Sequence, residues 1–151
     1  MKSFEKILVA VDFSNNSESA FTYALKLAEQ FNSEITIIHV INEPVDLRGF
    51  YVPHISFDEL EREIEDSAVK MMEEFCKKNL GIFSNFKTQI LRGIPYDEII
   101  TAAAEMEASL IVLGTNGRTG IDHILFGSTA ERVVRSASCP VLTVRLTAGG
   151  S

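Results

Sequence analysis

Apolar and polar positions along the chain fall into blocks that predict five short strands separated by helices. The apolar runs cover residues 7–11, 35–41, 86–91, 110–113 and 141–146. Valine and isoleucine dominate four of them, which favours strands. The first, second and fourth runs are apolar nearly throughout, as in parallel strands that are covered on both faces. The third run is more polar and the fifth alternates, so we expect these two at the edges of the sheet.

Apolar residues at helical spacing fill the intervals between the strands. The first helix is predicted over about 17–31. The second follows a capping box at 56–59 and ends near Gly81, a residue suited to the position after a helix. Pro95 is predicted as the first residue of the third helix, because proline needs no amide hydrogen there. A second capping box at 128–131, with Ser128 as the cap, is predicted to begin the fourth.

The apolar stripes of these helices identify the residues that we expect to face a core. They are Ala20, Ala24, Leu27, Ala28 and Phe31, then Leu60, Ile64, Ala68, Met71 and Phe75, then Ile99, Ile100, Ala103 and Met106, and finally Val133, Val134 and Ala137. Strands that alternate with helices in this way predict an α/β fold with a mostly parallel sheet. We expect one domain over 1–147, a frayed tail at 148–151 and a long connection over 42–55.

Composition narrows the functional classes. The chain has 151 residues, 46% of them apolar, and a formal net charge of −7. A surface of that sign is unsuited to binding a phosphate backbone, so we expect no nucleic-acid partner. The longest apolar run is too short to span a membrane, and the start of the chain lacks the features of a signal peptide. Cys76 and Cys139 form no metal-binding pattern and predict half-buried thiols in a reducing, cytoplasmic protein.

The stretch after the fourth strand carries the most chemical information. Gly114, Gly117 and Gly120 recur at a spacing of three, and Gly127 and Ser128 then begin a helix. Glycine permits positive φ and close approach of a ligand to the backbone. Amide hydrogens of such a loop, together with those at a helix N-terminus, can bind an anion such as a polyphosphate. The alternative is a glycine-rich turn followed by an ordinary helix cap. The lysine of a P-loop is missing, and a dinucleotide fingerprint would follow the first strand.

The spacing Gly-x2-Gly-x9-Gly-Ser over 114–128 resembles the ATP-binding signature of the universal stress protein family. The flanking sequence agrees: 6–14 resembles that family's first strand and turn, 39–40 the end of its second strand, and 138–144 its last strand. The resemblance covers essentially the full chain. It implies a Rossmann-like, doubly wound sheet of five strands in the order 3-2-1-4-5, with about four helices.

The same resemblance implies a nucleotide site at the carboxyl ends of the strands. In the order 3-2-1-4-5 the topological switch point lies between strands one and four, where open α/β sheets bind ligands. The resemblance places Ala10 and Val40 at the adenine, Asp12 near the ribose or the metal–phosphate region, and Gly114, Thr115, Asn116, Gly117, Arg118, Thr119, Gly120, Gly127, Ser128, Thr129 and Ala130 at the phosphates. We expect ATP with Mg²⁺ or Mn²⁺ held mainly by phosphate oxygens and water.

Several of these polar residues also have simpler interpretations. Asp12 could instead cap the first helix, and Arg118 could be a solvated surface arginine that pairs with no phosphate. His39 lies inside an apolar strand and is expected in the core or in a pocket wall. His54 and His123 are expected at the surface, although His123 could approach the phosphates.

Three functions remain open from the sequence. The first is an ATP-binding regulatory protein of the stress response that acts on a downstream protein. The second is a slow ATPase or phosphotransferase at the same site, using Asp12, Ser128 or His123. The third is a nucleotide-free structural dimer. No catalytic residue or metal ligand is assigned, and the family resemblance implies a homodimer that pairs through the fifth strand, 141–146.

Overall fold

The structure, a computed structural model, describes residues 4–43, 57–115 and 127–146. Strands and helices alternate along these residues. In chain order they are β1 (Lys6–Ala10), α1 (Asn15–Phe31), β2 (Glu34–Asn42), α2 (Phe57–Asn79), β3 (Phe86–Gly93), α3 (Pro95–Glu105), β4 (Leu110–Gly114), α4 (Ser128–Ser136) and β5 (Val141–Val144).

The five strands form one parallel sheet in the order β3-β2-β1-β4-β5. Ile7 of the central strand β1 is paired with Ile35 of β2 on one side and with Leu110 of β4 on the other. The expected strand order is therefore confirmed, as are the edge positions of β3 and β5. β2 and β3 lie on one side of β1, and β4 and β5 lie on its other side, so the topological switch point lies between β1 and β4.

Successive residues of the buried strands supply two cores, one on each face of the sheet. Ile7 and Val9 point towards α1 and α2, where they pack with Phe21 and Phe75. Leu8, one position between them, belongs to the opposite core with α3 and α4. This alternation explains why β1, β2 and β4 are apolar nearly throughout.

Most helix boundaries follow the signals in the sequence. Gly81 follows α2 with a φ of +58°, as expected for a residue just after a helix. Pro95 is the first residue of α3. The first helix begins two residues earlier than expected, at Asn15, because Ser14 is its cap and accepts a hydrogen bond from the amide of Ser17.

The predicted capping box of the fourth helix is wrong. Gly127 is the residue before α4, Ser128 is already its first helical residue, and no side chain of the described residues caps the helix. Val134 is also not a core residue, since 47% of it is exposed. β5 ends at Val144, so the predicted strand is two residues too long, and Leu146 beyond it is 40% exposed.

Some sequence predictions lie outside the described residues. These are the Ser56 cap of the second helix, positions 44–55 of the long connection, and the tail at 148–151. Within the ranges that the structure describes, none of the helices combines the length and the apolar character that crossing a membrane requires.

Candidate functional site

A cleft of about 780 Å³ lies at the carboxyl ends of β1, β2 and β4. Its volume is within the range of small-molecule sites, and its position is the switch point between β1 and β4. One side, which we call the cleft floor, consists of Ala10, Val11, Asp12, Gly114 and Thr115. The opposite side, the α2 wall, consists of Leu60, Glu63, Ile64, Ser67 and Met71.

The turn from β1 into α1 fixes Asp12 at the cleft floor. The Asp12 carboxylate oxygen Oδ1 accepts hydrogen bonds from the Ser14 amide at 2.9 Å and from the Ser17 hydroxyl at 2.6 Å. The amide of Asp12 in turn donates to Ser17 Oγ at 2.8 Å. Phe13 between them has a φ of +67°, a conformation that is uncommon for a bulky residue. Asp12 therefore orders the turn into α1 and lines the cleft, whereas the cap of α1 is Ser14 and not Asp12.

His39 forms part of the cleft lining at the end of β2. Its Nδ1 lies 2.8 Å from the carbonyl oxygen of Val11, and because a carbonyl only accepts, Nδ1 carries the proton. The ring also lies against Phe13, with ring centroids 4.5 Å apart. The prediction of a core or pocket-wall histidine is confirmed, and the contact joins β2 to the β1–α1 turn.

Thr115, directly after β4, is the least satisfied polar residue of the cleft floor. It is 6% exposed, and its Oγ1 has no hydrogen-bond partner within the described ranges. Its backbone is fully used: the amide donates to the carbonyl of Val144 at 3.0 Å, and the carbonyl accepts from the amide of Gly127 at 2.6 Å. A buried hydroxyl without a partner costs free energy, and a ligand can supply the missing partner.

The N-terminus of α4 reaches the cleft, and no side chain in the described part of the chain caps its first turn. Ser128, Thr129 and Ala130 line the cleft together with Gly127. The first amides of a helix have no acceptor within the helix and carry partial positive charge. At α1 the Ser14 hydroxyl accepts one of them, whereas Gly127 has no side chain that could do so. No side-chain cap from Gly127 therefore occupies the first amides of α4, which can donate to an anion in the cleft.

The α2 wall is held to the sheet by Arg92 at the end of β3. Its Nη2 donates to the backbone carbonyl of Glu61 at 2.7 Å. Carboxylate oxygens of Glu43 and Glu65 lie 3.9 Å and 3.7 Å from the guanidinium. Leu60 and Ile64, predicted as core residues, are 42% and 43% exposed because they face the cleft and not another helix.

The charged side chains in the described lining of the cleft are acidic. Asp12 and Glu63 contribute carboxylates, and no lysine or arginine is among the described lining residues. The residues that the structure describes also contain no cluster of three or more potential metal ligands. Anion binding by this part of the cleft would rest on amide and hydroxyl hydrogens.

The structure brings most of the predicted site residues to this one cleft. Ala10, Asp12, Val40, Gly114, Thr115, Gly127, Ser128, Thr129 and Ala130 all line it. Asn116, Gly117, Arg118, Thr119 and Gly120 lie outside the described residues, as do His54 and His123.

The α2 wall was not predicted as part of the site, and neither were Pro95 and Ile99, which also line the cleft. The apolar stripe of the second helix was visible, but a stripe does not reveal which surface it faces. Asn16, a polar residue of α1 that is only 4% exposed, was not predicted from the sequence either. The sequence feature that could have identified Asn16 is its position in the first turn after a predicted buried strand.

The family profile of universal stress proteins matches residues 3–145. The chain belongs to the universal stress protein family. Universal stress protein MJ0531 of Methanocaldococcus jannaschii is 35% identical over 147 residues, which cover 94% of this chain and 82% of that protein. The order of strands and the place of the cleft thus agree with the resemblance noted in the glycine signature.

Solved structures of other family members share the fold. The structure of protein MJ0577 of M. jannaschii has a TM-score of 0.83 at 28% identity and covers 97% of this chain and 99% of its own. The universal stress protein of Archaeoglobus fulgidus in complex with dAMP has a TM-score of 0.59 at 22% identity, covering 95% and 99%. At that identity the second likeness concerns the fold alone.

Proposed function

We propose that this universal stress protein binds ATP in the cleft, with the phosphates at the N-terminus of α4. The observation that carries the proposal is the convergence of hydrogen-bond donors without partners. Among the residues that the structure describes, nothing caps the amides of Ser128 to Ala130 and nothing pairs with the hydroxyl of Thr115, and all of them line one cleft. A phosphate oxygen is the acceptor that helix N-termini favour. The A. fulgidus protein, which shares the fold, is known in complex with dAMP, and we take an adenine nucleotide as the ligand class to be tested here.

The remaining cleft suits the base and the sugar of the nucleotide. Ala10 and Val40 at the strand ends are small or apolar, and Leu60, Ile64 and Met71 of the α2 wall lie opposite. An aromatic base would bury apolar area between these two surfaces. Glu63 and Asp12 disfavour an anion in their vicinity, so the phosphates belong at α4 and Asp12 at the ribose or metal end.

A divalent cation, Mg²⁺ or Mn²⁺, is part of the proposal. With a protein charge of −7, a triphosphate approaches against a net repulsion that a cation reduces. Magnesium is commonly held by one or two carboxylates, phosphate oxygens and water. The carboxylate of Asp12 fits that role, and the phosphates would supply most of the ligands.

Binding, and not turnover, is the function that we propose. Asp12 Oδ1 already accepts two hydrogen bonds from within the β1–α1 turn, so this oxygen serves to order the turn. We expect ATP to be recovered intact after long incubation with the protein and Mg²⁺. Steady release of phosphate that Thr115→Val abolishes would favour the slow ATPase instead.

Titration calorimetry with ATP and Mg²⁺ tests the proposal. Wild-type protein should bind one nucleotide per chain. Thr115→Val keeps the shape of the side chain and removes the hydroxyl, so we expect about tenfold weaker binding, the value of a hydrogen bond to a charged group. Thr88→Val, on the exposed part of β3, is the matched control and should bind like wild type. The absence of saturable binding up to millimolar ATP would refute the proposal.

We further propose that two copies pair through β5, inside the cytoplasm. β5 is an edge strand, and in the single chain its residues Val141, Leu142 and Thr143 are half-buried. Edge strands with open hydrogen-bonding groups pair readily, and a lysine on them prevents it. Sedimentation should therefore detect a dimer that Thr143→Lys dissociates. Only monomer at high micromolar concentration would contradict this arrangement.

A further inference from the structure

Gly114 is a glycine for a reason other than those that its motif suggests. The sequence predicts that a glycine here provides positive φ or lets a ligand approach the backbone. Among the described glycines, however, only Gly81 and Gly93 have positive φ. A Cβ added at Gly114 would lie 2.4 Å from Oδ1 and 2.7 Å from Cγ of Asn16. The space that a side chain would need is thus occupied by the amide of Asn16.

Asn16 fills that space in order to bond to the end of β5. It is the second residue of α1, and its Nδ2 donates to the carbonyl oxygen of Val144 at 3.0 Å. The same carbonyl accepts the amide hydrogen of Thr115, also at 3.0 Å. One oxygen therefore joins α1, β5 and the residue that follows β4. Leucine could not donate this bond, and aspartate would bring a carboxylate against a carbonyl.

The connection continues to the fourth helix. The carbonyl of Thr115 accepts the amide hydrogen of Gly127, the residue before α4. Three hydrogen bonds thus lead from Asn16 to the uncapped N-terminus of α4. Asn16 itself is not among the residues that line the cleft.

We infer that Asn16 is a positioning residue for the nucleotide site, and that the first glycine of the motif exists to accommodate it. Asn16 holds Val144, Val144 holds Thr115, and Thr115 holds Gly127. The hydroxyl of Thr115 and the first amides of α4 are thereby kept at a fixed separation. The inference rests on the proposed function for its binding consequence, but its structural part can be measured without nucleotide.

The sharpest variants change the same chemical group at adjacent positions. Asn16→Asp removes the donor to Val144, whereas Asn15→Asp makes the identical change at the exposed first residue of α1. We expect Asn16→Asp to accelerate hydrogen exchange at the amides of Thr115 and Gly127 about tenfold or more, relative to the core amide of Val9. Asn15→Asp should leave all three rates unchanged. The same Asn16 variant should bind ATP about tenfold more weakly, because the displaced donors lose about one hydrogen bond to the charged phosphates.

A compensating pair keeps the inference testable if Asn16→Asp does not fold. Gly114→Ala places its methyl group on Asn16 and should weaken ATP binding about tenfold or more. Adding Asn16→Ala removes the obstacle, so the double variant should bind more tightly than Gly114→Ala alone. A double variant that shows the sum of both losses would overturn the inference, as would equal exchange rates in the two Asn→Asp variants. If wild type binds no ATP, the proposed function fails while the exchange rates still decide the role of Asn16.

Discussion

The two sides of the cleft differ in how firmly they are built. The cleft floor continues from strands whose residues are almost completely buried, and hydrogen bonds tie it to α1, β5 and α4. The α2 wall leaves Leu60 and Ile64 more than 40% exposed and is joined to the sheet edge through Arg92. A rigid surface with hydrogen-bond donors therefore faces a loosely held apolar one. Phosphates need fixed donors, whereas a base needs area that can adjust to it.

Truncating a leucine on each side gives the largest contrast. Leu8, directly beneath the cleft floor, is 0% exposed, whereas Leu60 of the α2 wall is 42% exposed. We expect Leu8→Ala to lower the free energy of unfolding by about 2–5 kcal/mol, through lost burial and a cavity. Leu60→Ala should cost less than about 1 kcal/mol. Urea unfolding of both variants measures this, and equal losses would show that the wall is as firmly packed as the floor.

Removing Arg92 tests what holds the α2 wall. Arg92→Ala deletes the bond to the Glu61 carbonyl and should cost about 1–2 kcal/mol, since the two longer ion pairs are partly exposed and contribute little. Amide exchange should increase in the first half of α2. Arg135→Ala is the control, because its pair with Glu131 lies on the surface of α4 and is worth about 0.3–0.5 kcal/mol. Equal losses of stability in the two variants would show that Arg92 does not hold the α2 wall to the sheet.

Two serines compare the capped helix of the floor with the uncapped one. Ser14→Ala removes the cap of α1 and should cost about 1 kcal/mol. Ser128→Ala should change the stability by less than about 0.5 kcal/mol, because Ser128 lies inside α4 and caps nothing. Thermal unfolding without nucleotide separates the two. A loss of about 1 kcal/mol in Ser128→Ala would show that Ser128 caps α4 after all, as the sequence predicts.

The smallest effect on stability that we expect comes from the thiol of Cys76, which lies in the buried second half of α2. Burial raises the pKa of Cys76, so the folded protein retains the proton at a pH where the unfolded chain releases it. Its contribution to stability is therefore complete below the ordinary thiol pKa and declines as the pH rises above it. Alkylation at pH 8 should be slower than for an unfolded cysteine peptide.

The same thiol sharpens the comparison between the two halves of α2. Because Cys76 packs against the core formed with α1, Arg92→Ala should not accelerate its alkylation. Cys139→Ser removes the second thiol so that only Cys76 is followed. Faster labelling in the Arg92 variant would show that the entire helix loosens, and not its first half alone.

Periodicity predicted the fold well because strands and helices were decided by local patterns. The edge positions of β3 and β5, Pro95 at the start of α3 and Gly81 after α2 all follow from such patterns. Apolar character does not specify the surface that it meets, which is why Leu60 and Ile64 were assigned to a core.

The site was predictable as a position and less so as a set of contacts. The glycine signature located the cleft, but the reason for its first glycine depends on a residue far away in sequence. Gly114 accommodates Asn16 of α1. Contacts across the fold of this kind leave no trace in the spacing of a motif.

The bond between Thr115 and Gly127 has a consequence for how such a protein can change over time. It joins the residue that follows β4 to the residue that precedes α4 through backbone atoms alone. Every residue has a backbone carbonyl that can accept such a bond, whatever its side chain. The side chain at position 115 can therefore change, and with it the ligand that the cleft accepts, while β4 and α4 keep their relative places.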